Sequence, residues 1–176
     1  MDFAHAHALV ASFLREANAP FAVIGGVAVA AYGYPRTTMD LDVVTGSEIR
    51  QRLVAYLESV GFETLYQSTG FSNHGHQDPA LGRIDVMYVS GRTADLLFAG
   101  ARSVVGPAGT PISVPSPEHL IAMKVHAMRH APERTWQEML DIAHLVTLPG
   151  VDRGMVKKFF ADAGLDARWE ELARGL

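Results

Sequence analysis

The stretch GGVAVAAYGYPRTTMDLDVV, Gly25 to Val44, decides how this chain is read. Its two glycines follow the apolar run Phe21-Ala-Val-Ile24, so a short strand runs into a turn. Val27 to Tyr32 is alanine-rich and holds no more than a couple of helical turns before Gly33-Tyr34-Pro35 breaks it. Met39 to Val44 alternates polar and apolar residues and ends on a β-branched pair, the period-two pattern of a strand with two different faces. Alternation sends Asp40 and Asp42 one way and Leu41 and Val43 the other.

Arg83 to Val89 alternates in the same manner, with Asp85 inside it. On a neighbouring strand, Asp85 joins the other two carboxylates. Two unit charges about 4 Å apart repel by roughly 4 kcal/mol at an effective dielectric near 20, so such a cluster needs cations. Magnesium, or manganese, takes oxygen ligands from a few carboxylates and from substrate phosphates, which suits phosphoryl or nucleotidyl transfer. Gly25 and Gly26, lacking Cβ atoms, let a phosphate approach the main chain where amides open the next helix. Arg36, just before the acidic strand, is a candidate partner for a phosphate or a carboxylate, and Thr37 and Thr38 shape the turn there.

The order of these pieces, a Gly-Gly turn, thirteen intervening positions, Asp-Leu-Asp and a third carboxylate on a later strand, resembles the nucleotidyltransferases of the polymerase-beta-like superfamily. More narrowly, Gly25 to Val44 resembles the branch of abortive-infection toxin-type and lincosamide-type nucleotidyltransferases, in which an arginine and a threonine precede the acidic strand. The stretch LIAMKVHAMRHAPERTWQEMLDIAHL resembles their helical segment with a lysine and a later aspartate, so the resemblance spans Phe21 to Leu145. It implies Asp40 and Asp42 as metal ligands and Asp85 as third ligand or as general base on an acceptor hydroxyl. It also implies Gly25 and Gly26 at the triphosphate; by position, Arg36, Thr38 and Lys124 are further nucleotide-binding candidates. Many members carry serine after the first glycine; here Gly26 offers only its amide. The acceptor is not implied, since the superfamily modifies small molecules, protein hydroxyls and RNA ends.

Around this centre, the sequence predicts a helix over Phe3 to Ala17. Thr45 and Glu48 read as a capping box for a helix whose stripe is Ile49, Leu53, Tyr56, Leu57 and Val60. Phe62 to Gln67 reads as a strand and Thr69 to Gly82 as a polar loop. A short helix around Ala94 to Phe98 and two short extended pieces fill the region to Pro115. Ser116 then caps a helix from Pro117 to Arg129, and Thr135 with Glu138 reads as a second capping box. Helices over Trp136 to Thr147, Arg153 to Ala163 and Ala167 to Ala173 follow. The expected fold class is α+β: a mixed sheet with flanking helices over 1–115, and a helical C-terminal part over 116–176 packed on it.

Asp141 is bracketed by apolar residues, so it needs a basic partner, with Lys124 and Arg129 the candidates in the preceding helix. His119, His126 and His130 fall on one helical stripe and read as exposed histidines, not a zinc site. His74 and His76, read in the loop, could line an acceptor pocket; Tyr32, Tyr34 and Tyr66 could stack on a base but pack by default.

With 15 Lys plus Arg against 19 Asp plus Glu, a formal charge of -4 argues against nonspecific nucleic-acid binding. The chain has no cysteine, which excludes disulfides and thiolate catalysis and fits a reducing, cytoplasmic setting. No signal peptide or membrane span is expected. The function expected is transfer of a nucleoside monophosphate from a triphosphate to a hydroxyl, with pyrophosphate released and a cognate partner protein conceivable. The alternative is a catalytically inert nucleotide sensor or toxin-antitoxin-type regulatory partner.

Overall fold

The computed structural model describes residues 1–35 and 37–176. It divides into two compact units, Met1–Ala31 with Pro35–Pro115, and Tyr32–Tyr34 with Ser116–Leu176. Arg36 lies outside the described residues. The architecture is mixed α and β, as the alternating strand patterns and helical stripes require.

The first unit is built on a five-stranded sheet. Helix α1 (Phe3–Glu16) is capped by Asp2, whose carboxylate accepts from the His5 amide, and it buries Phe3, Ala6, His7, Val10, Ala11 and Leu14. Strand β1 (Phe21–Val23) leads into helix α2 (Gly25–Ala31) and then strand β2 (Asp40–Gly46). A 3-10 turn (Ser47–Ile49) precedes helix α3 (Arg50–Ser59), followed by strands β3 (Phe62–Gln67), β4 (Phe71–His76) and β5 (Arg83–Val89). Helix α4 (Gly91–Ala99) and a two-stranded ribbon, β6 (Arg102–Val105) with β7 (Pro111–Val114), complete the unit. The order in the main sheet is β1-β2-β5-β4-β3; β2 and β5 run parallel and every other pair is antiparallel.

Two expectations fail here for one reason, that polarity was read as exposure or as a cap. The segment expected as a loop from Thr69 to Gly82 contains β4, an interior strand paired on both sides. Its inward residues are polar but satisfied: His74 Nε2 lies 2.8 Å from Ser72 Oγ, which lies 2.8 Å from Tyr88 Oη. His74 Nδ1 meets Thr64 Oγ1 at 3.2 Å, and that hydroxyl donates to Glu58 at 2.7 Å. Thr45 is likewise not a cap. It pairs with Phe21 inside β2, and its hydroxyl donates to the Pro20 carbonyl at 2.8 Å.

The second unit is helical, with α5 (Pro117–His130), α6 (Thr135–Leu145), α7 (Arg153–Asp162) and α8 (Asp166–Ala173). Ser116 caps α5 by accepting from the His119 amide. Thr135 is the first residue of α6 and makes no side-chain cap; Glu138 turns inward instead. Helix α5 packs against α6 and α7, and Phe160 meets Trp169 between α7 and α8 with ring centroids 5.8 Å apart. Within this unit Tyr34 stacks on His144, whose Nε2 lies 2.9 Å from the Tyr32 carbonyl. Among the described residues no helix is long and apolar enough to cross a membrane.

His7 yields a test of the core. Its ring stacks on Phe3 and sits near Phe21, and its buried Nε2 has no hydrogen-bond partner among the described residues. Burial, with the Arg15 charge adding, holds its pKa below the ordinary histidine value. As the pH falls, the unfolded chain therefore takes up this proton first, so stability present at neutral pH is lost below the ordinary value and levels off beneath the folded one. Buried His74 shifts the same way. His7→Phe is expected to melt at or above the wild-type temperature and to lose less of it between about pH 8 and about pH 5, read by thermal melts across that range.

Candidate active site

The parallel register between β2 and β5 sets Asp42 beside Asp85 and Asp40 beside Arg83. Leu41, Val43, Ile84 and Val86, one position out of phase, are buried on the opposite face. Asp40, Asp42 and Asp85 thus rise from one face, each half-buried, with one carboxylate oxygen from each lying within 4.8 Å of the others. Among the described residues this is the only cluster of three or more such groups able to hold a metal ion. Its donors are all carboxylate oxygens, the set that magnesium and manganese favour and zinc does not require.

Each carboxylate is positioned by its own neighbour. Thr38 donates its hydroxyl to Asp40 Oδ1, so this threonine orients a carboxylate of the cluster. Asp42 is held from behind by the glycine turn: the Ile24 amide donates to the Asp42 carbonyl at 2.9 Å, and Gly25 follows with a φ of 62°. A Cβ on Gly25 would stand 1.9 Å from Asp42 Oδ2. Glycine is required there twice, for the left-handed backbone and for the close approach. Asp85 accepts from Arg83 Nε at 2.7 Å. That hydrogen bond, with the charges of Asp85, Asp40 and Asp42, raises the Arg83 pKa above its already high value despite some burial.

Arg83 is the residue that sequence reasoning missed. The signal was available, because positions 83 and 85 of an alternating strand share a face. Asn73, paired with Asp85 across β4, was missed with the strand that carries it.

Other candidates lie elsewhere. His74 and His76 are strand residues rather than loop residues; His74 is buried on the core face with Ile84, and His76 packs its ring edge-on against Phe62. His126 and His130 are exposed neighbours with ring centroids 4.3 Å apart, whereas His119, expected to be exposed, is half-buried with its Nδ1 3.1 Å from Ser116 Oγ. Tyr32 is buried and Tyr66 is exposed.

Lys124 is buried in the helical unit, its ammonium donating to Glu138 at 2.9 Å and to Asp141. Glu138 also pairs with Arg134 at 2.8 Å. Of the two basic candidates for Asp141, Lys124 is thus a partner, and Arg129 is exposed. Two of the three N–H donors of the Lys124 ammonium are taken up by these buried carboxylates.

No family model matches the chain, and no curated protein does. Solved structures do. The solution structure of the antibiotic-resistance factor ANT(2'')-Ia superposes with a TM-score of 0.70 at 19% identity, over 99% of this chain and 98% of that one. A crystal structure of ANT(2'')-Ia with adenylyl-2''-tobramycin gives 0.63 at 19% identity, over 88% and 92%. The lincosamide antibiotic adenylyltransferase LnuA, bound to lincomycin, gives 0.54 at 14% identity, over 81% and 96%. The chain has the nucleotidyltransferase fold. It is the fold that the resemblance of Gly25 to Val44 implies.

Two substitutions test how this nucleotidyltransferase fold holds its charged groups. Gly25→Ala is expected to cost at least about 1 kcal/mol from the backbone alone, and more from displacing Asp42, seen as a lower Tm in thermal melts. Lys124→Met leaves Glu138 and Asp141 without their shared cation and is expected to cost about 3–5 kcal/mol in denaturant melts. A small stability loss with a raised triphosphate KM would instead assign the lysine to substrate.

Proposed function

We propose that the chain is a metal-dependent nucleotidyltransferase that moves a nucleoside monophosphate from a nucleoside triphosphate onto a hydroxyl acceptor and releases pyrophosphate. The observation that carries this reading is the convergence of Asp40, Asp42 and Asp85 on one sheet face, with Gly25 backed directly onto Asp42. Three carboxylates that close repel one another, and nothing in sheet stability calls for that arrangement. A divalent cation relieves it.

Asp40, Asp42 and Asp85 would hold Mg2+ or Mn2+, which when bound neutralises phosphate charge and stabilises the attacking and leaving oxygens of an in-line displacement. The acceptor oxygen forms a bond to the α-phosphorus, the bond from that phosphorus to the pyrophosphate oxygen breaks, and the acceptor proton passes to a base. Asp85 is the candidate for that base, or else the third ligand. Thr38 keeps Asp40 in place. Gly25, whose missing Cβ makes room for Asp42, and Gly26, buried in the first turn of α2, are the main-chain contacts proposed for the triphosphate, and Arg36, by its position before the acidic strand, is a further phosphate partner. Lys124 is the least favoured of the proposed nucleotide contacts, being held by Glu138 and Asp141.

ANT(2'')-Ia is seen with an adenylylated tobramycin and LnuA with lincomycin, which supports ATP as donor and a small hydroxyl-bearing molecule as acceptor here. The test is incubation with labelled triphosphates and Mg2+ or Mn2+ against pools of small hydroxyl compounds, protein and RNA, with mass analysis of whatever gains a nucleotide. Asp42→Asn is expected to cut transfer by more than about a hundredfold, since loss of even an outer partner of a metal ligand costs about 10–100-fold. Its metal-free Tm should not fall, because one repelling charge is gone. Loss of fold together with activity would make Asp42 a structural residue and sink the assignment.

A further inference from the structure

The strand that carries Asp85 also carries a cation bound to it. Arg83 and Asp85 are two apart on β5, and Arg83 stands beside Asp40 in the parallel pairing with β2. Its Nε donates to Asp85 Oδ1 at 2.7 Å, while 49% of its side chain stays exposed against 21% of that of Asp85. The guanidinium is therefore anchored at the carboxylate and open to solvent on its outer side. A carboxylate oxygen engaged by a guanidinium is a poorer metal ligand, and a positive charge within hydrogen-bond distance of it opposes an incoming divalent ion.

We propose that Arg83 is the resident counter-cation of the carboxylate cluster, holding Asp85 until metal arrives and thereby setting how tightly metal binds without nucleotide. This rests on the metal-binding reading of Asp40, Asp42 and Asp85 given above. The ion alone must displace or share the guanidinium at Asp85 and gains nothing in return. Metal arriving with a triphosphate is different, because phosphate oxygens match the planar fork of a released arginine. Binding of metal and triphosphate is therefore cooperative, each favouring the other by the same factor. Arg83 acts here as a positioning residue, through Asp85.

The experiment is titration of the full chain with Mn2+, with and without a nonhydrolysable triphosphate, reading free Mn2+ by its electron-spin-resonance signal. Wild type is compared with Arg83→Gln and Arg83→Lys. A half-exposed side chain leaves the core untouched when replaced, and thermal melts check this. Arg83→Gln is expected to bind Mn2+ alone more tightly, by up to about fivefold, the equilibrium worth of a part-exposed ion pair. The strengthening produced by triphosphate should be smaller in it than in wild type. Arg83→Lys, which keeps the charge and loses the fork, should fall between the two, and it carries the test if the glutamine variant melts early. Folded variants that bind Mn2+ with wild-type affinity and wild-type cooperativity would overturn the proposal while leaving the metal site standing. Failure of wild type and both variants to bind Mn2+ under either condition would overturn the metal site itself, and this proposal with it.

Discussion

The structure depends on one constraint: β2 and β5 lie side by side, parallel and in register, so that Asp42 and Asp85 are neighbours. Parallel pairing needs a crossover between the two strands, and α3, β3 and β4 all lie between them in sequence. The result concentrates like charge on one face while burying Leu41, Val43, Ile84 and Val86 on the other. The hydrophobic face fixes the register, because a one-residue shift of either strand would expose its two apolar side chains and bury the carboxylates it carries. Apolar packing on one side thereby holds a repulsive cluster in place on the other.

The site was legible wherever the sequence alternated. Asp40, Asp42 and Asp85 could be placed on common faces because Leu41, Val43, Ile84 and Val86 mark the other side. Gly25 was legible as a turn residue, but its contact with Asp42 was not, since closeness between a turn and a strand side chain leaves no periodic trace. Strand β4 was unreadable because its core positions are Ser72 and His74, which bond to each other and to Tyr88 and Thr64 and so need no apolar character. The threonine-x-x-glutamate patterns at Thr45 and Thr135 also misled. That spacing arises by chance where a threonine ends a strand or opens a helix, and only the hydrogen bonds tell the cases apart.

In the helical unit the reading began from a charge in apolar company and was correct that Asp141 needs a cation. It did not foresee that Glu138 would share the same lysine. Position 138 was assigned to a helix start, where an exposed glutamate is ordinary; it does lie in the first turn of α6, but on the face that turns inward. One ammonium between two buried carboxylates, with Arg134 completing the second, brings the charges near balance inside α5 and α6.

The chain of contacts from Glu58 through Thr64, His74 and Ser72 to Tyr88 has a meaning beyond satisfying buried polar atoms. It runs from α3 through β3 and β4 to β5 on the face opposite the carboxylates: Thr64 and His74 are directly paired across β3 and β4, His74 and Ser72 are two apart on β4, and Ser72 reaches diagonally to Tyr88 on β5. A directional link adds to the register that the apolar face already sets, because donor and acceptor must meet at one spacing. Were β4 to slip by a single residue, Ser72 and His74 would swap faces with Asn73, and the links to Tyr88 and Thr64 would be lost together. Those two cross-strand links favour the one register in which Asn73 stands beside Asp85 on the open carboxylate face.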